Sequence, residues 1–247
     1  MIYWLMKYVF VGPVLRLFFP TKVVGKEYIP ETGGAVLVSN HLAVSDSFFL
    51  PLHIKRRVYF LAKSEYFTEK GVKGLFKKLF FTGMGQVPID RSSANAAQDA
   101  LDTGVRLLKD GELLGIYPEG TRSPDGRLYK GKTGVTRMVL ESGVPVIPVA
   151  MFNTDKVNPI GSKMWKPGRV QIVIGRPMDF SRYEGMSGDR FVERSMADEI
   201  MYRLMEMSGQ EYVDIYAAKA KQNIEAAKAA EGKGPGTVTR LPGTKAS

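Results

Sequence analysis

The sequence predicts an α/β fold: a mixed, largely parallel sheet flanked by helices. Two observations carry this. Short apolar runs recur at 35–39, 58–62, 85–89, 113–117, 145–150 and 170–175, each of strand length. Segments of helical period lie between several of them, and such alternation is the mark of βα units around a parallel sheet. Residues 94–109 follow Ser92-Ser93 and repeat Ala97, Leu101, Val105 and Leu108 along one face. Residues 132–141 form a second helix, and 189–207 align Val192, Met196, Ile200, Leu204 and Met207. The run at 144–149 contains Pro145 and Pro148, which cannot donate to a ladder, so this strand is expected at an edge or irregular. In folds of this kind, sites gather at the carboxyl ends of strands.

The chain has 247 residues, 44% of them hydrophobic, enough for one sizeable domain with appendages. It contains no cysteine and only two histidines. Disulfides, thiolate metal sites, cysteine nucleophiles and a three-histidine zinc site are therefore excluded. Its net charge is +10, of which the tail after residue 217 supplies a part, leaving about +6 on the body. A basic body suits an anionic partner, whether nucleic acid, lipid headgroup or phosphorylated substrate, and charge alone does not choose.

Residues 2–19 are the most apolar segment, with Tyr3, Trp4, Tyr8, Phe10, Phe18 and Phe19. Lys7, Arg16 and Pro13 make it a poor spanning helix. No positive charge precedes the run and no small-residue cleavage site follows, which argues against a signal peptide. It reads as two short helices either side of Gly12-Pro13, lying in a membrane interface; a helical hairpin packed on the protein's own core is the alternative. The organisation expected is an interfacial hairpin at 1–22, a main domain at 23–217 and a basic, disordered tail at 218–247, whose first part could extend a helix to about residue 230.

Four blocks carry chemistry. Asn40-His41-Leu42-Ala43-Val44-Ser45-Asp46 follows the first apolar run. An imidazole accepts a proton near neutral pH, and a nearby carboxylate fixes its tautomer and balances its charge. Five residues along a helix turn through about 140°, so His41 should sit on a turn or helix start with Asp46 about one turn into the next helix. Alone, the pair is better read as a structural histidine and a helix-capping aspartate. Gly85-Gln86-Val87-Pro88-Ile89-Asp90-Arg91 ends a strand in a candidate phosphate ligand, Arg91. Tyr117-Pro118-Glu119-Gly120-Thr121-Arg122-Ser123 follows the run at 113–117; its Arg122 presents a planar fork suited to phosphate, although Glu119 and Arg122 could also brace a surface turn. The fourth block is Val144-Pro145-Val146-Ile147-Pro148-Val149.

Gly126-Arg127-Leu128-Tyr129-Lys130-Gly131-Lys132-Thr133 matches the pattern of a nucleotide-phosphate loop. That loop must begin where a buried strand ends, whereas here a turn-rich stretch intervenes and Leu128 and Tyr129 are bulky. The match reads as chance.

Together and in this order, the four blocks resemble the glycerolipid acyltransferase family that includes 1-acylglycerol-3-phosphate acyltransferases. Asn40, His41 and Asp46 match its Asn-His-x4-Asp block; Ile89, Asp90 and Arg91 its second; Pro118 through Ser123 its third, with Tyr117 where the family has Phe; and residues 144–149 its fourth. Lys130-Gly131 falls on a basic Lys-Gly step of the family, and Lys63 on a recurrent basic position. The similarity runs from about residue 24 to 180.

The resemblance implies a catalytic His41–Asp46 pair, with Asn40, Lys63, Arg91, Glu119, Gly120, Thr121 and Arg122 around the substrate and neither metal nor cofactor. It further implies a lysophosphatidic-acid-like acceptor, acyl-CoA or acyl-carrier protein as co-substrate, a lipid bilayer as partner and no nucleic acid. The expected setting is peripheral or monotopic on the cytoplasmic membrane, with the site on the cytoplasmic side. His53 matches nothing and reads as structural. The rival readings are another acceptor within the family, a nucleotide-binding protein built on Gly126–Thr133, and a non-enzymatic membrane adaptor.

Overall fold

The computed structural model describes residues 1–89, 95–162 and 164–231. A seven-stranded sheet forms the centre. Its strands are β1 (Thr21–Val24), β2 (Ala35–Ser39), β3 (Val58–Lys63), β4 (Gln86–Ile89), β5 (Leu113–Ile116), β7 (Val146–Phe152) and β8 (Val170–Ile174), and a short pair of β6 (Leu128–Tyr129) and β9 (Tyr212–Val213) lies apart. The spatial order is β1-β8-β7-β2-β5-β3-β4. Five neighbouring strands, β7 to β4, run parallel, and β8 with its parallel partner β1 runs against them. All six apolar runs are strands of this sheet. β2 is wholly buried along its length, as a strand covered on both faces must be.

One apolar layer joins the sheet to α2 (Val11–Phe18) and α3 (Asp46–His53), through Leu15, Phe19, Phe49, Leu50 and Leu52. The other joins it to α6 (Ala96–Lys109), α7 (Gly134–Ser142) and α9 (Arg190–Ser208), through Leu101, Leu108, Val139, Met196, Ile200 and Leu204. These three helices lie where their periodicity placed them. Asp189 caps α9 by accepting from the Phe191 and Val192 amides at 2.8 and 3.2 Å.

The proline strand is irregular, as one arm of the expectation had it, but it is not at an edge. β7 is interior, between β8 and β2, not an edge. The ladder to β8 is interrupted at Pro148, between the Val149–Ile174 pair and an isolated Val146–Met178 bridge. The missing donor falls in that gap, and Pro148 O still accepts from Gly175 N at 2.8 Å. A Cβ on Gly175 would stand 2.9 Å from the Pro148 ring, so glycine is required for the approach.

The amino-terminal segment is one helical run, not a hairpin broken at Gly12-Pro13. α1 (Ile2–Leu5) passes through a π-helical turn at Met6–Phe10 into α2. Pro13 sits in the first turn of α2, where its absent N–H costs little. The π turn brings Gly12 so close to the Lys7 carbonyl that a Cβ would lie 1.7 Å from the oxygen. The run is two-faced. Tyr3, Lys7, Gly12, Leu15 and Phe19 are buried against the domain, while Trp4, Tyr8, Phe10, Val14, Leu17 and Phe18 are exposed.

α4 (Glu65–Thr68) and α5 (Gly71–Gly83) follow β3. α5 packs beside α1 and exposes Val72, Leu75, Phe76 and Leu79. α8 (Thr154–Val157) follows β7.

The carboxyl-terminal boundary is also revised. α10 (Ala217–Glu231) is a helix whose Ala217 and Ala220 are buried against Tyr129, because small side chains let its first turns approach closely. The helix expected to about residue 230 is thus present, docked rather than part of a disordered tail, and residues 232–247 lie outside the described residues.

Candidate active site

The carboxyl ends of β2 and β5 meet at the centre of the sheet, and the chain turns sharply after each. After β2, residues 40–45 form a turn that delivers Asp46 as the first residue of α3, earlier in the helix than its sequence spacing suggested. The reason is local hydrogen bonding. Asp46 Oδ2 accepts from the Leu42 and Ala43 amides at 2.8 and 2.9 Å and meets His41 Nδ1 at 2.9 Å. One carboxylate oxygen thus closes the turn and holds the imidazole. Asp46 is fully buried, while the His41 side chain keeps 15% of its surface exposed. With Nδ1 engaged, Nε2 is the nitrogen left for the cleft that His41 lines.

The imidazole lies flat on Tyr117, with ring centroids 3.8 Å apart and planes within 9°. Phe60 continues the stack at 5.7 Å. Gly115 makes room for it, since a Cβ there would stand 2.3 Å from the Phe60 ring. The Tyr117 hydroxyl pairs with Ser47 Oγ at 2.9 Å. Burial, then the nearby Asp46 carboxylate, push this phenol well above its usual range, so it stays protonated.

The turn after β5 is built around Glu119, which is only 1% exposed. Its two oxygens accept from the His41 amide at 3.2 Å and the Tyr129 amide at 3.0 Å. Burial pushes its carboxyl up to about 8, against those two donors. Gly120 adopts φ +72°, and a Cβ there would meet Lys132 Cε at 2.9 Å. The Ser123 amide donates to His41 O at 2.7 Å, binding the two turns together.

A cleft of about 590 Å³ opens in front of His41. Leu61, Ile89, Ile116 and Met138 give it apolar walls, and Gly120, Thr121, Arg122 and Lys132 give it a polar, cationic side. Among the described residues neither Arg122 nor Lys132 has a carboxylate partner. Such an arrangement can take a proton from a hydroxyl at one point while holding an anion at another.

The sequence-predicted residues divide accordingly. His41, Gly120, Thr121 and Arg122 line the cleft, with Asp46 directly behind His41. Asn40 and Glu119, read as substrate ligands, are struts instead. Asn40 is 1% exposed; its Nδ2 donates to Met151 O at 3.1 Å and Gln210 Oε1 at 2.7 Å, and its Oδ1 accepts from Met151 N at 2.8 Å. Both residues have spent their polar atoms on the protein. Lys63 ends β3, in register with Ile89. Asp90 and Arg91 lie outside the described residues.

Sequence reasoning missed Lys132 and Ser47. Of the basic step, Lys130 turns away to pair with Asp214 at 2.9 Å, and Lys132 lines the cleft. Gly126–Thr133 contains β6, whose Leu128 and Tyr129 are fully buried, so it does not form a phosphate-wrapping loop. His53 donates to or accepts from no cleft residue and meets the Phe49 carbonyl at 2.9 Å. Among the described residues, no group of three or more His, Asp or Glu could hold a metal ion.

A family profile described as Acyltransferase matches residues 20–152. The 1-acyl-sn-glycerol-3-phosphate acyltransferase of Bacillus subtilis is 30% identical over 167 residues, covering 67% of this chain and 77% of that one. Two chloroplastic proteins of the same name, BAT2 of Brassica napus and LPAT1 of Arabidopsis thaliana, are each 32% identical and cover 65% and 67% of this chain. The chain spans about half the length of these plant relatives, 46% and 45%. Among solved structures, the 1-acyl-sn-glycerophosphate (LPA) acyltransferase PlsC of Thermotoga maritima aligns with a TM-score of 0.59 and 26% identity, over 77% of this chain and 73% of that one. With its Asn-His-x4-Asp and Pro-Glu-Gly-Thr-Arg turns joined around one cleft, the chain belongs to the acyltransferase family.

Proposed function

We propose that the protein transfers a fatty acyl group from a thioester, acyl-CoA or acyl-carrier protein, to the free hydroxyl of 1-acylglycerol 3-phosphate, giving phosphatidic acid. The observation that carries this reading is the His41–Asp46 pair facing a cleft with apolar walls and two cations, Arg122 and Lys132, that have no carboxylate partner among the described residues.

His41 Nε2 accepts the proton of the acceptor hydroxyl, and the oxygen attacks the thioester carbonyl carbon. The tetrahedral intermediate then expels the thiolate, which takes the proton back from the imidazolium. A positioned base contributes roughly 10²–10⁴-fold, and the alignment of two bound reactants contributes further. Asp46 fixes the tautomer that leaves Nε2 unprotonated and steadies the imidazolium; Tyr117 holds the ring plane. Arg122 and Lys132 take the acceptor's phosphate, close to the amino end of α7, whose Gly134 and Val135 also line the cleft. Arg91 and Lys63 join them by the motif match alone.

The substrates are lipids, so the protein must meet a bilayer. Among the described residues no helix is long and apolar enough to cross one. The exposed face of the amino-terminal run, with Leu17 and Phe18, and that of α5, with Val72 and Phe76, fit an enzyme lying on the membrane. We place it on the cytoplasmic side, where acyl thioesters are made.

The test uses purified protein, radiolabelled acyl-CoA and acyl-carrier protein, and a panel of acceptors: lysophosphatidic acid, glycerol 3-phosphate and other lysophospholipids. Preferred transfer to lysophosphatidic acid that His41→Ala abolishes is expected. Transfer that persists in a folded His41→Ala protein would remove the base, and preference for another acceptor would replace the substrate.

A further inference from the structure

The carboxyl-terminal segment is stitched onto the catalytic turns at several points. Gln210 joins Asn40, the neighbour of His41, to the Gly126 carbonyl, which accepts from its Nε2 at 2.6 Å. The Leu128 amide donates to Glu211 O at 2.9 Å, and the Lys130 amide to Ile215 O at 3.1 Å. Lys130 pairs with Asp214, and Ala217 and Ala220 pack on Tyr129. These contacts fix the first turns of α10 beside the Glu119–Arg122 turn. There Lys221 Nζ donates to Thr121 Oγ1 at 2.5 Å, a contact 100 residues away along the chain.

We infer that Lys221 is a positioning residue for the acceptor's phosphate: through Thr121 it sets the turn that presents Arg122 to the cleft. The inference rests on the reading that Arg122 and Lys132 bind that phosphate. Two features argue that Lys221 does more than brace a helix. Thr121 and Arg122 both line the cleft, so the hydroxyl it holds belongs to the wall that meets the ligand. Its ammonium is also placed beside a like charge: burial, and next the Arg122 guanidinium, lower its proton affinity. Three cations, Arg122, Lys132 and Lys221, thus converge on one turn, where Glu119 and Glu225 oppose the effect of burial and of Arg122 on Lys221 only in part and Glu119 is engaged by backbone amides. Like charges gathered at one turn repel one another, and a dianionic phosphate relieves that repulsion.

The experiment compares wild type with Lys221→Met, Lys221→Arg and Thr121→Val in the full chain. Affinity for glycerol 3-phosphate is read by thermal shift, and KM and kcat are read with lysophosphatidic acid. Lys221→Met should weaken glycerol 3-phosphate binding and raise KM by roughly tenfold with kcat within about twofold, at a melting temperature near wild type. Lys221→Arg should restore most of both. Thr121→Val should reproduce the defect, and adding Lys221→Met to it should cost little more. Unchanged binding in a folded Lys221→Met protein overturns the inference, as does an equal loss of kcat. If wild type binds glycerol 3-phosphate but does not acylate lysophosphatidic acid, the acceptor assignment fails while the binding comparison still decides Lys221. If wild type does not bind glycerol 3-phosphate at all, the anion site and the role of Lys221 fall together.

Discussion

Replacing Asp46 with asparagine isolates the charge behind His41. Asp46 Oδ2 serves three N–H donors: the imidazole and the amides of Leu42 and Ala43. Its Oδ1 is buried without a partner. An asparagine that turns its oxygen toward the three donors keeps the turn but places an amide NH2 where Oδ1 lies unpartnered. One unmet buried polar group thus replaces another, so the variant should still fold. The larger effect is on the reaction. The imidazolium formed during proton transfer loses a fully buried anion hydrogen-bonded at 2.9 Å. Two unit charges about 4 Å apart at an effective dielectric near 20 interact by about 4 kcal/mol, which is about a thousandfold in rate. Asp46→Asn should therefore lower kcat about a thousandfold, with KM for donor and acceptor little changed. Initial rates of radiolabelled acyl transfer measure this, with near-ultraviolet circular dichroism to establish that the variant is folded. A folded Asp46→Asn protein within tenfold of the wild-type kcat would refute the claim that the carboxylate balances charge at His41.

Other substitutions probe neighbouring parts. Burial pushes the Glu119 carboxyl from its ordinary 4.5 up to about 8, so the folded state holds the extra proton and loses stability as pH rises through that window, by up to ~1.4 kcal/mol per unit. Glu119→Gln should flatten that part of the pH dependence; urea melts from pH 5 to 9 showing the same slope in both proteins would contradict it. Gly120→Ala forces a side chain at φ +72° and into Lys132, so it should cost about 1–2 kcal/mol and raise the acceptor KM, as melting curves and kinetics can measure. Leu17→Glu with Phe76→Glu removes two exposed apolar side chains without touching the core; at about 1.5–3 kcal/mol each, vesicle sedimentation should fall at least tenfold, and undiminished sedimentation would move the docking face elsewhere. Arg91→Ala should raise the acceptor KM with little change in kcat; unchanged kinetics would take Arg91 out of the site.

The sheet was legible because its buried strands are continuous apolar runs, and α6, α7 and α9 because their faces repeat at helical spacing. The position of β7 was not legible. Proline excludes a strand from an interior place only if the missing donor is needed, and whether β8 leaves a gap there is a property of the partner strand. β1 was missed because Thr21–Val24 is half exposed and begins with Thr and Lys rather than an apolar run, and β6 because Leu128–Tyr129 is only two residues long. The His41–Asp46 contact was expected from the motif, yet its geometry came from amides of the turn, which have no sequence signature of their own. Nor could the sequence distinguish Lys130 from Lys132, since β6 decides which of the two turns inward. The helix to about residue 230 was legible, but its docking was not, because it depends on Ala217 and Ala220, whose small side chains carry no pattern that names a partner.

A motif match treats its residues as equals, and the structure ranks them. In Asn40-His41 and in Pro118-Glu119-Gly120-Thr121-Arg122, all but Asn40 and Glu119 line the cleft. Asn40 ties the His41 turn to Met151 on β7, and Glu119 ties it to Tyr129 on β6. His41 is thus held from three sides: by Asp46 through its ring, by Glu119 through its amide and by Ser123 through its carbonyl. A base that must align a hydroxyl and a carbonyl carbon tolerates little displacement, so fixing the backbone of His41 matters as much as fixing its tautomer. On this argument, loss of Asn40 or Glu119 reaches the chemistry by displacing His41, whereas loss of Arg122 or Lys132 reaches it through affinity for the phosphate.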